Sequence, residues 1–321
     1  MKSKTLIFLF LITVFSDAAF AADQVVRVGY FPNITHAQGV IGSDSTREGR
    51  GWFEQRLGPG ITVQWFAFNA GPSAMEAILA GSVDLTYVGP NPALNAYIRS
   101  KGQEIRVLAG SALGGAALVV GKDSGITTPA DFKGRTVATP QLGNTQDVAA
   151  RAWLKKQGYR ITLTGGQVSV LPTANPDQLN LMKAGKIDAV WTVEPWVSRL
   201  ELEAGARVFM EEPEAVTTIL VSSAKFLKER GELATKFRDA HVELTAWLNE
   251  HPEDARAQVR AGLSRAVKRE IPAELVARAW PRIRFTDALR PAQLESFVAD
   301  ARSVGFLRDA IPLDRLFSSQ P

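Results

Sequence analysis

Hydrophobic and polar positions along this chain change period again and again. Short apolar runs stand at "QVVRVGYF" (Gln24 to Phe31), "ITVQWFAF" (Ile61 to Phe68), "VDLTYVG" (Val83 to Gly89), "ALVVG" (Ala117 to Gly121), "TVATP" (Thr136 to Pro140), "VSVLP" (Val168 to Pro172) and "IDAVWTV" (Ile187 to Val193). Segments with helical spacing separate them. Short apolar strands alternating with helices predict an α/β fold with mostly parallel sheets covered by helices. From Ser223 onward the pattern is largely helical, with Phe226, Leu233, Phe237, Val242, Leu244 and Trp247 at helical spacing and charges on the other faces. A further helix opens at Pro252. These helices are expected to pack back on the first part of the chain.

One unit is used twice. "PSAMEAILAGSVDLTYVGPNPAL" from Pro72 matches "PDQLNLMKAGKIDAVWTVEPWVS" from Pro176, so that Pro72, Ala80, Gly81 and Asp84 fall on Pro176, Ala184, Gly185 and Asp188. In each copy a Pro starts a short helix, Ala-Gly ends it, and a strand runs into a Pro-bearing loop. The repeat predicts two similarly built lobes: residues 22–112, then 113–215, with a return to the first lobe over 216–321. The chain is expected to cross once near Val107–Val120, where Gly114 and Gly115 allow bending, and once near Glu211–Ser223.

The first 21 residues read as a leader. Lys2 and Lys4 precede an apolar run too short to span a bilayer comfortably, and Ala19 and Ala21 place small residues at the positions a signal peptidase reads, predicting cleavage after Ala21. Export without a further apolar span points to a periplasmic, soluble protein. Cys is absent, so disulfides and a lipidated Cys are excluded. Removing Lys2, Lys4 and Asp17 from a formal net charge of +4 leaves +3. That small excess is spread along the chain and carries no nucleic-acid footprint.

Open α/β sheets bind ligands where strand ends lead into helix N-termini, whose free N–H groups favour negative charge. Five loops have that character: "YFPNITHA" with Asn33, Thr35 and His36; "NAGPSA" with Gly71 and Ser73; "VGPNPA" with Gly89 and Asn91; "QLGNTQD" with Gly143, Asn144, Thr145 and Gln146; and "TVEPWV" with Glu194 and Trp196. Each also has a plainer reading. Asn144 or Thr145 caps a helix that Asp147 completes as a capping box and that Lys155, Lys156 and Gly158 close. Ser73, Asn91 and Thr35 are also caps by their position. Glu194 either meets an ammonium group on the ligand or pairs with Arg199. Trp196 walls a cleft against an apolar group. His36, His241 and His251 form no cluster, so no metal or other cofactor is expected. No nucleophile elbow, phosphate loop or dinucleotide fingerprint is present.

"GYFPNITHAQ", "NAGPSAMEAILAGSVDLTYVGPNPALNAY", "ATPQLGNTQDVAARAWLKKQG" and "ANPDQLNLMKAGKIDAVWTVEPW" together resemble the periplasmic solute-binding proteins of ABC importers, in particular the sulfonate, nitrate and taurine group. The resemblance runs over nearly the whole chain after the leader. It implies a type II periplasmic-binding fold, two α/β lobes on a two-strand hinge with an anion held between them. It further implies a monomer that binds a small organic anion and hands it to a permease in the inner membrane. The ligand-facing loops it implies fall on Asn33–His36, Gly71–Ser73, Gly89–Asn91, Gly114–Gly115, Gly143–Gln146 and Glu194–Trp196. Glu194 stands where some taurine-type members carry a small apolar residue, which leaves room for an amine-bearing ligand. Two other classes remain open at this stage: a lyase or dehydratase on the same fold, using Glu194 and His36, and a sensor that feeds no importer.

Overall fold

The structure is a computed structural model and describes residues 24–163, 165–309 and 311–317; the leader and its cleavage point lie outside them. The first part of the chain runs β1 (Gln24–Tyr30), α1 (Ala37–Arg47), α2 (Trp52–Leu57), β2 (Ile61–Ala67), α3 (Gly71–Leu79), β3 (Leu85–Val88), α4 (Pro90–Arg99) and β4 (Ile105–Gly114). A 3-10 turn at Ile34–His36 leads into α1. The middle part runs β5 (Ala116–Val120), β6 (Thr136–Thr139), α5 (Thr145–Lys156), β7 (Ile161–Thr162), β8 (Gly165–Gly166), β9 (Ser169–Pro172), α6 (Asn175–Lys183), β10 (Ala189–Val193), α7 (Trp196–Ala204) and β11 (Arg207–Glu211). The chain then returns through β12 (Val216–Ser223), α8 (Ala224–Glu250), α9 (Pro252–Val267), α10 (Ala273–Ala279), β13 (Ile283–Phe285) and α11 (Ala292–Ser303).

Two sheets carry two α/β lobes. The first has the order β13-β4-β12-β3-β1-β2 and the second β11-β5-β10-β6-β9. Each contains a parallel trio, β2-β1-β3 or β9-β6-β10. To each trio are added antiparallel strands that belong to the crossings: β12 on β3 and β4, and β5 on β10 and β11. Antiparallel pairing follows from the chain leaving the first lobe through β4 and returning through β12. The outward crossing is abrupt. β4 ends and β5 begins around Gly114 and Gly115, both at positive φ (70° and 69°), a conformation that a side chain disfavours.

The repeated aspartates do matching work. Asp84 accepts from the backbone and guanidinium of Arg27 on β1. Asp188 accepts from the backbone of Thr136 and the guanidinium of Arg135 at the start of β6. In each lobe the Asp before the repeat strand therefore ties that strand to its parallel neighbour. Both faces of each sheet are covered by apolar side chains. Val26, Val28, Tyr87 and Leu220 join α1 and α8 on one face of the first sheet, and Val88, Ile219 and Val221 join α3 and α4 on the other. The second sheet is buried the same way, by Leu118, Val137 and Trp191 on one side and Val119, Ala138 and Val190 on the other.

The C-terminal helices do more than cover the first lobe. Arg278 of α10 bonds Glu201 of α7 at 3.0 Å, and Asp300 of α11 pairs with Lys156 of α5 at 2.7 Å, so both helices reach the second lobe. Helical spacing reports which face of a helix is apolar but not how many neighbours meet it. β13 was also absent from the sequence pattern. Three residues flanked by Pro281 and a polar loop carry too short an alternation to register, and pairing with β4 makes the strand.

Candidate functional site

The ends of β1, β2, β3, β6 and β10 meet where the lobes face each other, and the lobes touch there. Trp196 Nε1 donates to Asn33 Oδ1 at 3.1 Å, Ile34 N to the Glu194 carbonyl at 3.2 Å, and Asn91 N to Thr145 Oγ1 at 3.3 Å. Gly89 allows the last contact: a Cβ there would stand 2.4 Å from Thr145 Oγ1. Gly71 likewise lets α3 approach Pro92 and Asn144. The conformation is a closed one.

Between the lobes lies a small central chamber of about 20 Å³, lined by Asn33, Thr35, His36, Asn69, Asn144, Gln146, Asn175 and Thr217, with Phe31, Gly89, Pro140 and Val193 completing the wall. On the scale of a cavity that takes one water it holds one small polar group. Among the described residues no Lys, Arg, Asp or Glu lines it. Four helices of nine or more residues begin at it, α3 and α4 from one lobe, α5 and α6 from the other. Their N-cap residues are Ala70, Gly89, Asn144 and Ala174, and none makes a side-chain cap. Three of the four have no side chain capable of one. At α4 the one N–H of the first three residues, that of Asn91 between Pro90 and Pro92, is taken by Thr145 Oγ1, so the starts of α3, α5 and α6 are the ones that present open N–H groups, with the positive ends of their dipoles, to whatever fills the chamber.

His36 is buried and burial holds its pKa down to about 3, so the ring is neutral. It stacks on Phe31 with ring centroids 4.4 Å apart, and its Nδ1 accepts from Phe31 N. That bond puts the proton of the neutral ring on Nε2, giving the chamber a neutral donor.

The chamber opens forward into a larger cavity of about 340 Å³, sharing Phe31, Asn33, Asn69 and Asn175 with it. Its walls are mainly apolar: Phe68 from the first lobe, Trp196 from the second, and Leu263, Ile271 and Leu275 from α9, the following loop and α10. Arg199 lies over the Trp196 ring, 4.8 Å from its centroid, and bonds Glu203.

The structure brings Asn33, Thr35, His36, Gly89, Asn144 and Gln146 together in the central chamber and Trp196 at the front. Other expected contacts are placed elsewhere. Ser73 Oγ donates to the Ala70 carbonyl inside its own turn and lines neither chamber. Gly143, at φ 75°, faces Phe306, and its N–H is taken by Asp147. Gly115 belongs to the crossing, its carbonyl accepting from Glu194 N. Asn91 and Thr145 touch each other and line a third cavity behind the chamber.

Two sequence expectations are corrected. Asp147 completes no capping box; its carboxylate holds Thr139 Oγ1, Gly143 N and the buried Arg151. Asn144 turns its amide to Gln146 instead of capping α5. Glu194 neither lines a chamber nor pairs with Arg199. It is fully buried and accepts from Ser198 N at 3.0 Å, Ser198 Oγ at 2.9 Å and Arg282 Nη1 at 2.9 Å. Burial pushes its pKa up, partly offset by Ser198 and Arg282. Arg282 also bonds Glu201 and Glu211. Burial pulls that guanidinium down, but the bonds to Glu201 and Glu194 outweigh it and hold it above its ordinary value. Arg282 lies 88 residues from Glu194 in sequence, and no local pattern points to the pair.

Phe31, Phe68 and Asn69 were missed although they lie in or beside loops already singled out, and Asn175 was missed because the loop that opens α6 was not among them. Extending the same rule by one or two residues finds the first three. Val193, the last residue of β10, lies in the loop of Glu194 and Trp196, whereas Thr217 carries no such signal.

Comparisons with known proteins agree with this architecture. The putative aliphatic sulfonates-binding protein of Escherichia coli K12 is 27% identical over 205 residues, 62% of this chain and 59% of that protein. The taurine-binding periplasmic protein of the same organism is 30% identical over 142 residues, 44% of this chain and 42% of that protein. The chain thus spans roughly half the length of these curated relatives. Among solved structures, the alkanesulfonate-binding protein of Xanthomonas axonopodis pv. citri bound to MOPS superposes with a TM-score of 0.70 at 21% identity, covering 90% of this chain and 96% of that one. The fold is that of the periplasmic binding proteins. Residues 21–263 match the sequence model of the NMT1-like family, and the chain belongs to that family.

Proposed function

We propose that this chain is a non-enzymatic periplasmic binding protein that captures a small organic anion, closes on it and presents it to an ABC permease. One observation carries the reading: three uncapped helix N-termini, α3 from one lobe and α5 and α6 from the other, open on a chamber lined by neutral donors. Such a site holds an anionic head by N–H groups and dipoles, without a counter-charge. The apolar front cavity then takes the organic remainder, which favours an aliphatic sulfonate or a similarly built anion over a bare inorganic one. The relatives that bind sulfonates and taurine support the same class.

Donors from both lobes give the ligand its reason to close the protein. A near-complete shift between two states needs about 5.5 kcal/mol of differential binding, and a chamber split between lobes supplies contacts that exist only when it is shut. Catalysis is disfavoured by the same geometry. His36 is neutral with a pKa of about 3, and Glu194 is occupied by Ser198 and Arg282, so neither serves as an acid–base partner near neutral pH.

A thermal-shift series tests the reading. Short alkanesulfonates raise the melting temperature with concentration and are recovered unaltered. No stabilisation by any sulfonate, carboxylate or nitrate would overturn it.

A further inference from the structure

Behind the central chamber, on the hinge side, lies a third cavity of about 410 Å³. It shares Gln146 and Thr217 with the chamber and is walled by both lobes, by α11 and by the return crossing around Glu212–Val216. Two buried polar groups on its wall lack partners among the described residues. Asn91 is 3% exposed and its Nδ2 donates to the Phe297 carbonyl, which fixes the amide and leaves Oδ1 as an acceptor with nothing to accept. Trp191 is 1% exposed and its Nε1–H has no acceptor. Buried polar groups without partners are uncommon and mark a place built for a polar occupant.

The charges decide its sign. Glu212, Glu214 and Asp300 line the cavity. Glu214 is paired with Arg284 at 2.6 Å and Asp300 with Lys156 at 2.7 Å. The Glu212 side chain makes no ion pair or hydrogen bond among the described residues. Burial pushes its pKa up, Asp300 adds to that, and Lys156, already held by Asp300, offsets only part. One uncompensated carboxylate and one idle amide oxygen suit a group that carries positive charge and several N–H donors.

We propose that this rear cavity is a binding site for a primary ammonium group, held by Glu212 and Asn91 Oδ1. The ammonium either belongs to the same molecule as the anion, reaching back past Gln146 and Thr217, or comes from a separate small amine. Because the site is walled by both lobes and the crossing, its occupant favours the closed form in either case. The attached case rests on the central chamber being the anion site; the separate case does not.

Calorimetry on the purified protein at neutral pH tests it with three probes: alkanesulfonates of two to four carbons, ω-aminoalkanesulfonates of the same lengths, and the matching alkylammonium salts alone and with alkanesulfonate. The expected result is one of two. An aminosulfonate binds at least tenfold tighter than its unsubstituted counterpart, or the alkylammonium binds by itself and tightens the sulfonate. Glu212→Gln removes that gain and leaves plain alkanesulfonate affinity unchanged. A gain that survives Glu212→Gln overturns the proposal, as does sulfonate binding with no gain from either amine. If no sulfonate binds at all, the anion reading fails, and the alkylammonium titration alone still decides the rear site: heat that is lost in Glu212→Gln supports it, and none overturns it.

Discussion

The central and front chambers share four wall residues and differ in almost everything else. The central one is small, neutral and polar, and is made from residues at strand ends and helix starts of both lobes. The front one is about 340 Å³, mainly apolar, and takes much of its wall from α9 and α10, elements that the repeat does not contain. The difference teaches a division of labour. The repeated α/β framework supplies the head-group site, because strand ends followed by helix starts are what it makes in each lobe. The C-terminal helices, added once, supply the surface against which the rest of a ligand is buried.

Breaking the closed contact erases both chambers at once and has the largest expected effect. Gly89→Val places branched carbons against Thr145 Oγ1, where even a Cβ would stand 2.4 Å away. Affinity for every anion should fall by about 100-fold or more in titration calorimetry, since the ligand loses the few kcal/mol gained only on closure. The unliganded protein should retain its secondary structure by circular dichroism. Next comes the head-group site alone. Gln146→Ala removes a donor from the central chamber, and a hydrogen bond to a charged group is worth about 1.5–3 kcal/mol. The loss should be the same for short and long ligands of one head group.

Trp196→Ala acts on the front chamber. It should cost about 1–3 kcal/mol for a ligand with a buried chain and much less for methanesulfonate, read as affinities across chain length. It also frees Asn33 Oδ1 from its cross-lobe bond, so a small uniform loss is expected beneath the chain-dependent one.

A pH dependence separates stability from binding. Burial depresses His36 to about 3 and His241, bonded to Tyr87 and the Gly110 carbonyl, to about 4, against about 6.5 when unfolded. A base with a lowered folded pKa makes the unfolded state bind protons first. The stabilisation is therefore complete above about pH 6.5 and is lost as pH falls toward 4 and 3. At ~1.4 kcal/mol per unit, each histidine costs about 2 kcal/mol by pH 5. Denaturant midpoints should drop over that range and recover in part in His241→Gln. Anion affinity from pH 6.5 to 8 should be flat, because no lining side chain of the central chamber titrates there.

Much of this was legible in the sequence. Apolar runs gave β1, β2, β3, β5, β6, β9 and β10 to within about two residues, whereas β4 and β12 lay in segments expected only as crossings and β7, β8, β11 and β13 were not anticipated; the repeat located the matching Asp84 and Asp188 before their shared role was visible. The loops that form the central chamber were found by the rule that strand ends feed helix starts. What was not legible has a common cause. The capping expected of Asn144 and Asp147 is a local inference, and it lost to tertiary partners: Arg151 and Thr139 hold Asp147, and Gln146 holds Asn144. The fate of Glu194 depends on Arg282, and the front wall depends on Leu263, Ile271 and Leu275, all remote in sequence. Spacing along a chain cannot report which distant helix a loop will meet.

The central claim is that one chamber reads the head and the other the chain. Calorimetry with alkanesulfonates from one to six carbons tests it most directly. Affinity should rise with length by up to about 0.8 kcal/mol per methylene until the front chamber is filled. Trp196→Ala should flatten this slope, and Gln146→Ala should lower the whole line without changing its slope. A flat dependence in the unaltered protein, or tightest binding of the shortest anion, would contradict it.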